Sequence, residues 1–310
     1  MSKPSVLLMA YGSPYSLDEV GAYLKEIRGG RTATPEEVER LKERYRQVGG
    51  RTPLIEITKL QAQRLEERLR NNAIADRVYI GMKHWYPFIK DTVEEMVRDN
   101  VASIIGIALA PHYSKMSIGG YDDAVRKALA DNQSSIPFFM VKNWHQERSL
   151  IDALASRVRS GLNKMKDPQQ AMVLFTAHSL PKRAVVPGDP YRAQLDETSR
   201  LVAEAAGIES WSFAFQSAGE PRDTWLGPQI REQIVDIQRK GFKEILVCPV
   251  GFVSDHLEIL YDLDIEAKQL AESVGVKLDR TQSLNADPEF IDSLLATTRS
   301  VVAGETLLTA

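Results

Sequence analysis

The sequence predicts an α/β fold of two doubly wound halves, each a four-stranded parallel sheet flanked by helices. Three observations carry this. Short apolar runs alternate with amphipathic helical patterns from end to end, as βα units require. These runs number eight, and the polar stretch "MKDPQQ" (165–170) leaves four on either side. A length of 310 residues exceeds one ordinary domain, and 43% hydrophobic residues suffice for two cores. The expected domains are therefore 1–165 and 166–310, with the C-terminal helix free to pack back on the first.

The elements follow in order. "SVLLMA" (5–10) opens the chain as a strand; no small-residue cleavage site follows a long apolar region, so it does not read as an export signal. In "TPEEVERLKERYRQVGG", Thr34 caps a helix, Pro35 takes its first position, Glu37 completes a capping box, and Gly49 with Gly50 ends it. Strands "RVYIG" (77–81), "SIIGIAL" (103–109) and "PFFMV" (137–141) complete the first half, the last after the loop "DNQSSIP" (131–137). The second half repeats the pattern with "AMVLFTA" (171–177), "WSFAFQ" (211–216), "EILVCPV" (244–250) and "VKLDRT" (276–281), then closes on the helix "DPEFIDSLLATTRSVVAG".

The halves also share a short internal likeness. The first strand of one ends in "AYGSP" and that of the other in "AHSLP". After the third strand, "APHYSKMSIGGYDD" and "CPVGFVSDHLEILYD" each run from a proline to a Tyr-Asp pair. Two domains related in this way bring Tyr11 and His178 to one cleft, because ligands sit at the carboxyl ends of parallel strands. A flat ligand fits between them.

Composition excludes several classes. A net charge of -3 provides no basic face for nucleic acid. One cysteine, Cys248, makes neither an internal disulfide nor a four-thiolate cluster, and its apolar setting reads as a buried thiol. No apolar run approaches the roughly 18 to 20 residues that span a bilayer. The expected setting is soluble and cytoplasmic. Phosphate loops, the G-x-S-x-G elbow and the HExxH zinc helix are all absent.

The candidate chemistry sits at strand ends. Glu258, Asp262 and Glu266 fall four residues apart on one helical stripe, where like charges destabilise an isolated helix. A solvated acidic face is the general explanation for such a row. Here the flanking Leu257, Ile259, Leu260, Leu263 and Ile265 leave little of the helix free to face water, which favours a divalent-cation site or a proton path. His178 is either a hydrogen-bonded strand end or an acid/base or metal group. Arg28, Arg44, Tyr45 and Thr52 read as a solvated helix end and loop, or, in a cleft, as carboxylate binders. His84 and His112 read as strand-end residues.

The segments "LLMAYGSP", "RYRQVGGRTPL", "GMKHWYPF", "APHYSKMSIGGY", "TAHSLP", "GDPY", "FQSAG…WLGP" and "VGFVSDHLEILYDLD", in this order and spacing, resemble the ferrochelatase family along nearly the whole chain, and its short bacterial coproporphyrin branch in particular. The resemblance implies two Rossmann-like chelatase domains with a porphyrin cleft between them, and insertion of Fe(II) into the porphyrin. It implies His178 as the catalytic histidine and Glu258 as its acidic partner. Asp262 and Glu266 then continue outward as a row able to hold an additional divalent ion such as Mg2+ with help from Arg44. Tyr11 faces the other side of the macrocycle as a further metal-side group. Ser13, Arg28, Tyr45, Thr52 and Tyr121 hold propionates or line the pocket, although "IRGGR" lacks one arginine that some relatives carry.

No iron–sulfur cluster and no permanently bound cofactor are expected. With tyrosine at position 11, the absence of a Cys-bearing extension or membrane anchor points to coproporphyrin III; protoporphyrin IX is the alternative. A monomer in transient contact with a coprohaem decarboxylase is the expected assembly. The rivals are a cobalt chelatase of related fold and a non-catalytic haem or coprohaem carrier, which needs no proton path.

Overall fold

The computed structural model describes residues 3–219 and 223–304. Positions 305–310 of the expected second domain and 1–2 of the first lie outside the described residues, as do 220–222 within "FQSAG…WLGP". Among the described residues, eight strands form two parallel sheets. The first holds β1 (Ser5–Ala10), β2 (Val78–Met82), β3 (Ile104–Ala108) and β4 (Phe138–Met140). The second holds β5 (Ala171–His178), β6 (Trp211–Gln216), β7 (Glu244–Cys248) and β8 (Lys277–Arg280).

Each of the eight apolar runs forms a strand; those at 5–10 and 211–216 match at both ends, and the ends of the other six differ by at most two residues. β7 stops at Cys248 rather than at 250, because Pro249 has no N–H to continue the ladder. β5 runs one residue further than expected, so His178 belongs to the sheet and pairs in register with Gln216.

The strand orders are β2-β1-β3-β4 and β6-β5-β7-β8, the same winding twice. The direction of winding switches between the first and third strand of each half, and Tyr11 and His178 lie at the carboxyl ends of the two first strands. The repeat extends to detail: the Met82 N–H donates to the Pro87 carbonyl at 2.7 Å, and the Phe215 N–H to the Pro228 carbonyl at 2.8 Å, each beyond the second strand of its half.

Helices α1 (Val20–Ile27), α2 (Pro35–Gln47) and α3 (Leu54–Asn71) join β1 to β2, and α4 (Ile89–Arg98) joins β2 to β3. α5 (Gly120–Asp131) leads to β4 and α6 (Arg148–Leu162) to β5. In the second half come α7 (Tyr191–Ala206), α8 (Ile230–Arg239), the short α9 (Leu257–Leu260) and α10 (Lys268–Ser273), then the closing α11 (Pro288–Val302). The capping box of α2 forms as the sequence implies: Thr34 accepts from the Glu37 N–H, and Glu37 accepts from the Thr34 N–H at 2.7 Å.

The predicted continuous helix after β7 is broken. α9 gives way to a π-helical turn at Asp262–Ala267 before α10 resumes, and the Glu266 N–H reaches back five residues to the Tyr261 carbonyl. A second π turn, Lys115–Gly119, precedes α5 at the matching place after β3. Both helices therefore open on the wide turn that favours functional sites.

Alternating side chains divide each sheet between two cores. Leu7 and Met9 pack with Val93 and Val125, whereas Val6 and Leu8 face the other way. Val6 and Leu8 share one continuous core with Val173 and Phe175 of the second sheet, filled by Val158 of α6, Leu195 of α7, and Phe290 and Leu294 of α11. The chain crosses between halves to build it: α6 follows β4 yet packs on α7 and β7, and α11 follows β8 yet packs on α3 and α6. Each fully buried side chain such as Phe290 contributes roughly 1.5–3 kcal/mol, so α11 holds the two sheets at a set separation.

Candidate active site

His178 and Glu258 come from different elements, the end of β5 and the first turn of α9, and meet with Nε2 and Oε1 3.3 Å apart. The sheet holds the histidine: the Tyr191 hydroxyl donates to its carbonyl at 3.0 Å, and the Gln216 amide donates to the Glu258 carbonyl at 2.8 Å. The Nδ1–H of His178 donates to the carbonyl of Ser179, which turns Nε2 toward the carboxylate. His256 does the same from the other side. Its Nδ1–H donates to the Ser254 carbonyl at 2.9 Å, and its Nε2 lies 3.8 Å from the second Glu258 oxygen. One carboxylate is thus flanked by two imidazoles.

This arrangement decides the protonation states. Burial opposes a charged imidazole at His178, but Glu258 outweighs it and pushes the pKa up to about 9. Burial likewise opposes a charged Glu258, yet His178 and then His256 hold its carboxyl well below the usual carboxylate range. At neutral pH the pair is imidazolium and carboxylate. A resting neutral His178, ready to take a proton at once, is therefore not the state that the geometry favours.

Both groups remain open to solvent, with side-chain exposures of 36% and 30%, while protein crowds them on most sides. Accessible atoms amid dense surroundings are what a cleft wall produces. Tyr11, immediately after β1, is in the same situation: it is 45% exposed, and its phenol pKa is driven upward by burial and then by the Glu258 charge. The ends of β1 and β5, together with α9, thus present a phenol and an imidazole–carboxylate pair that are electrostatically coupled.

Asp262, on the π turn, is buried and paired with Arg44 of α2 and with the Ser217 hydroxyl. Burial pushes its pKa up to about 6; Arg44 works against this, and Glu258 and Glu266 add to it. The Arg44 guanidinium also lies over the Tyr261 ring, 4.5 Å from its centre. Glu266 accepts from Arg231 of α8 at 2.6 Å. The expected acidic stripe is therefore electrostatically continuous, but a guanidinium from another element occupies each of its two outer carboxylates. Among the described residues, no three His, Cys, Asp or Glu side chains converge closely enough to hold a metal ion. As arranged, the outer row does not fit an additional divalent ion.

The remaining predicted residues divide into three groups. Ser13, Tyr45 and Thr52 form one buried cluster, with the Ser13 hydroxyl 2.8 Å from Thr52 and 3.3 Å from the Tyr45 hydroxyl. Tyr121 is buried at the head of α5 beneath Lys83, whose ammonium lies 5.0 Å from the ring centre. Arg28 forks onto Glu37 at 2.7 and 2.9 Å, at the junction of α1 and α2.

Other residues escape sequence reasoning. His256 sits in the quoted "SDHLE" stretch, where a histidine two residues before a helical glutamate was the available signal. Ser217 adopts a left-handed backbone, φ 58°, just beyond β6, an uncommon conformation for serine that aims its hydroxyl at Asp262. His84 does more than end a strand: its ring centre lies 4.6 Å from that of Tyr11, and burial followed by the Lys83 charge lowers its pKa to about 4. His112 joins the halves instead, with Nε2 2.8 Å from the Thr198 hydroxyl of α7.

Comparisons with known proteins agree with this arrangement. A sequence model of the ferrochelatase family matches residues 3–301. The ferrochelatase of Herpetosiphon aurantiacus is 42% identical over 98% of this chain and 99% of its own. The coproporphyrin III ferrochelatase of Geobacillus kaustophilus is 40% identical over 93% of each. Among solved structures, SirB from Bacillus subtilis with Fe3+ superposes with a TM-score of 0.61 at 12% identity, covering 98% of this chain and 97% of its own, a likeness of fold.

Proposed function

The chain belongs to the ferrochelatase family, and from that premise we propose that it inserts Fe(II) into coproporphyrin III to form coprohaem III. Insertion of a metal into a porphyrin follows from membership; the macrocycle is the finer inference. It is supported by relatives bearing that substrate's name at about 40% identity over most of the chain, and by the phenol at Tyr11. The observation that carries the chemistry is the meeting of His178 and Glu258 at 3.3 Å, with the Glu258 charge felt at the Tyr11 phenol.

Insertion requires two pyrrole N–H protons to leave while iron exchanges water for ring nitrogens. A planar ring hides its lone pairs from a metal arriving along the normal, so bending the ring toward the metal exposes them. Strain of roughly 1–5 kcal/mol is what binding at the ring periphery supplies. The buried Ser13–Tyr45–Thr52 cluster and Tyr121 support the wall on the Tyr11 side, and a propionate would compete with Glu37 for Arg28 and with Asp262 for Arg44.

The resting pair already holds one proton, on His178. Iron arriving beside Glu258 repels that proton and drives it toward Asp262, whose pKa near 6 makes it an acceptor close to neutrality. The freed Nε2 then accepts the two pyrrole protons in turn, releasing the first to solvent before it takes the second, and Glu258 neutralises the arriving charge. Tyr11, protonated at rest, stands on the opposite face as a group able to touch the metal.

No helix among the described residues is long and apolar enough to cross a membrane. The proposed setting is the cytoplasm, where a monomer passes coprohaem to a decarboxylase in transient contact. The test is anaerobic mixing of protein, Fe(II) and either coproporphyrin III or protoporphyrin IX, followed by absorbance. Faster metalation of coproporphyrin III that disappears in His178→Ala supports the proposal. Faster metalation of protoporphyrin IX, or binding of coprohaem without any rate effect, overturns it.

A further inference from the structure

Arg280, the last residue of β8, forks onto Asp264 in the π turn, with Nε and Nη2 at 2.7 and 2.9 Å from its two oxygens. The same Nη2 lies 3.2 Å from Asp255, which is itself fixed by Ser283 at 2.7 Å and by Asn285 at 2.9 Å. Asp255 and Asp264 bracket His256, Glu258 and Asp262. One guanidinium therefore grips both ends of the segment that carries His256, Glu258 and Asp262. A planar fork with five donors suits this task; an ammonium cannot reproduce it.

The first half holds a related device. Lys142, just beyond β4, donates to Asp122 at 2.8 Å, and Asp122 also accepts from Arg126 at 2.7 Å. Asp122 follows Tyr121 at the head of α5, directly after the other π turn. The clamps are not equivalent residue for residue. Met140 and Arg280 hold matching places in register, opposite Gly106 and Val247, so Lys142 lies two positions further on, beyond the end of its strand.

We propose that Arg280 and Lys142 are positioning residues for opposite walls of the cleft: Arg280 sets the wall that receives metal and protons, and Lys142 the wall against the macrocycle. This rests on the function proposed above and names two residues that neither touch substrate nor carry a proton. A π turn is less favourable than an α turn; Asp264, bound by Arg280, lies within one, and Asp122, bound by Lys142, lies in the first helical turn after the other.

The test uses the full chain with Arg280→Gln and Lys142→Gln, reading the Fe(II) KM, kcat, and the coproporphyrin III dissociation constant from fluorescence quenching without metal. Arg280→Gln should raise the Fe(II) KM and lower kcat, together about tenfold or more in kcat/KM, because small misplacements of reacting groups cost that much. Its porphyrin affinity should stay within about twofold of wild type. Lys142→Gln should weaken porphyrin binding about fivefold with the Fe(II) KM unchanged. Parameters that move together in both variants, or in neither, overturn the proposal.

If Arg280→Gln does not fold, Arg280→Lys keeps the charge without the fork. Wild-type iron kinetics in that variant also overturn the clamp. A wild-type protein that binds coproporphyrin III but inserts no iron defeats the function instead, and porphyrin binding by Lys142→Gln still judges its clamp.

Discussion

The second oxygen of Glu258 lies 3.8 Å from Nε2 of His256, so the carboxylate that meets His178 is held between two imidazoles whose other nitrogens both donate to backbone carbonyls. Glu258 is thereby the pivot of the site's charge, and its loss has consequences for both neighbours.

In Glu258→Gln the His178 pKa should fall well below about 9, because burial is then opposed only by the Ser179 carbonyl and the Asp262 charge. In the wild type the ring holds its proton until the pH rises through about 9. Histidine-ring titration by NMR checks this, and a His178 pKa still above 8 in the variant would refute the pairing. Iron insertion in the same variant should drop by about 10²–10⁴-fold.

Asp262 is expected to cost stability at neutral pH. Its folded pKa of about 6 exceeds the ordinary 3.8, so the folded state binds more protons between those values, and stability falls as the pH rises through that window. Asp262→Asn should therefore be more stable than wild type at pH 7.5, by up to about 3 kcal/mol less whatever the loss of Arg44's partner removes. Near pH 4 the difference should vanish. Urea unfolding at both pH values decides it, and iron insertion should fall even as stability rises.

Mg2+ should not stimulate the protein at millimolar concentration, because guanidinium groups already occupy Asp262 and Glu266. The outer pair is exposed, and such pairs contribute at most about 1 kcal/mol, so Arg231→Gln should tighten Mn2+ binding by about fivefold. Electron paramagnetic resonance of free Mn2+ measures this in a Glu258→Gln background, where the inner groups are weakened. Tight binding by the protein with Arg231 intact would show the row to be a cation site after all.

Thr34→Ala removes the hydroxyl of the α2 capping box and should lower stability by about 1 kcal/mol. Since α2 also carries Arg44 and Tyr45, thermal melting and iron kinetics in this variant separate helix stability from placement of those side chains.

The eight strands and the α2 cap were legible because their signals are local: apolar runs bounded by turn residues, and a Thr-Pro-Glu-Glu start. His178 and Tyr11 were legible through the repeated Ala-ring-x-x-Pro pattern after the first strand of each half. The π turn was not. The stripe of Glu258, Asp262 and Glu266 reads as one continuous helix, and the extra width at Asp262 arises where Arg44, Ser217 and Arg280 pull on neighbouring carboxylates from elements remote in the chain.

By itself, then, the sequence determined the repeated α/β winding, the strand-end places of the reactive side chains and the family to which they belong, since periodicity and motif spacing are properties of neighbouring residues. The tertiary structure alone decided which charges meet. It set His256 beside Glu258, gave Asp262 to Arg44 and Glu266 to Arg231, left a proton on His178, and laid α6 and α11 across the division between halves. Electrostatic energy and burial depend on distances between residues far apart in the chain, and those distances exist only once the two sheets share a core.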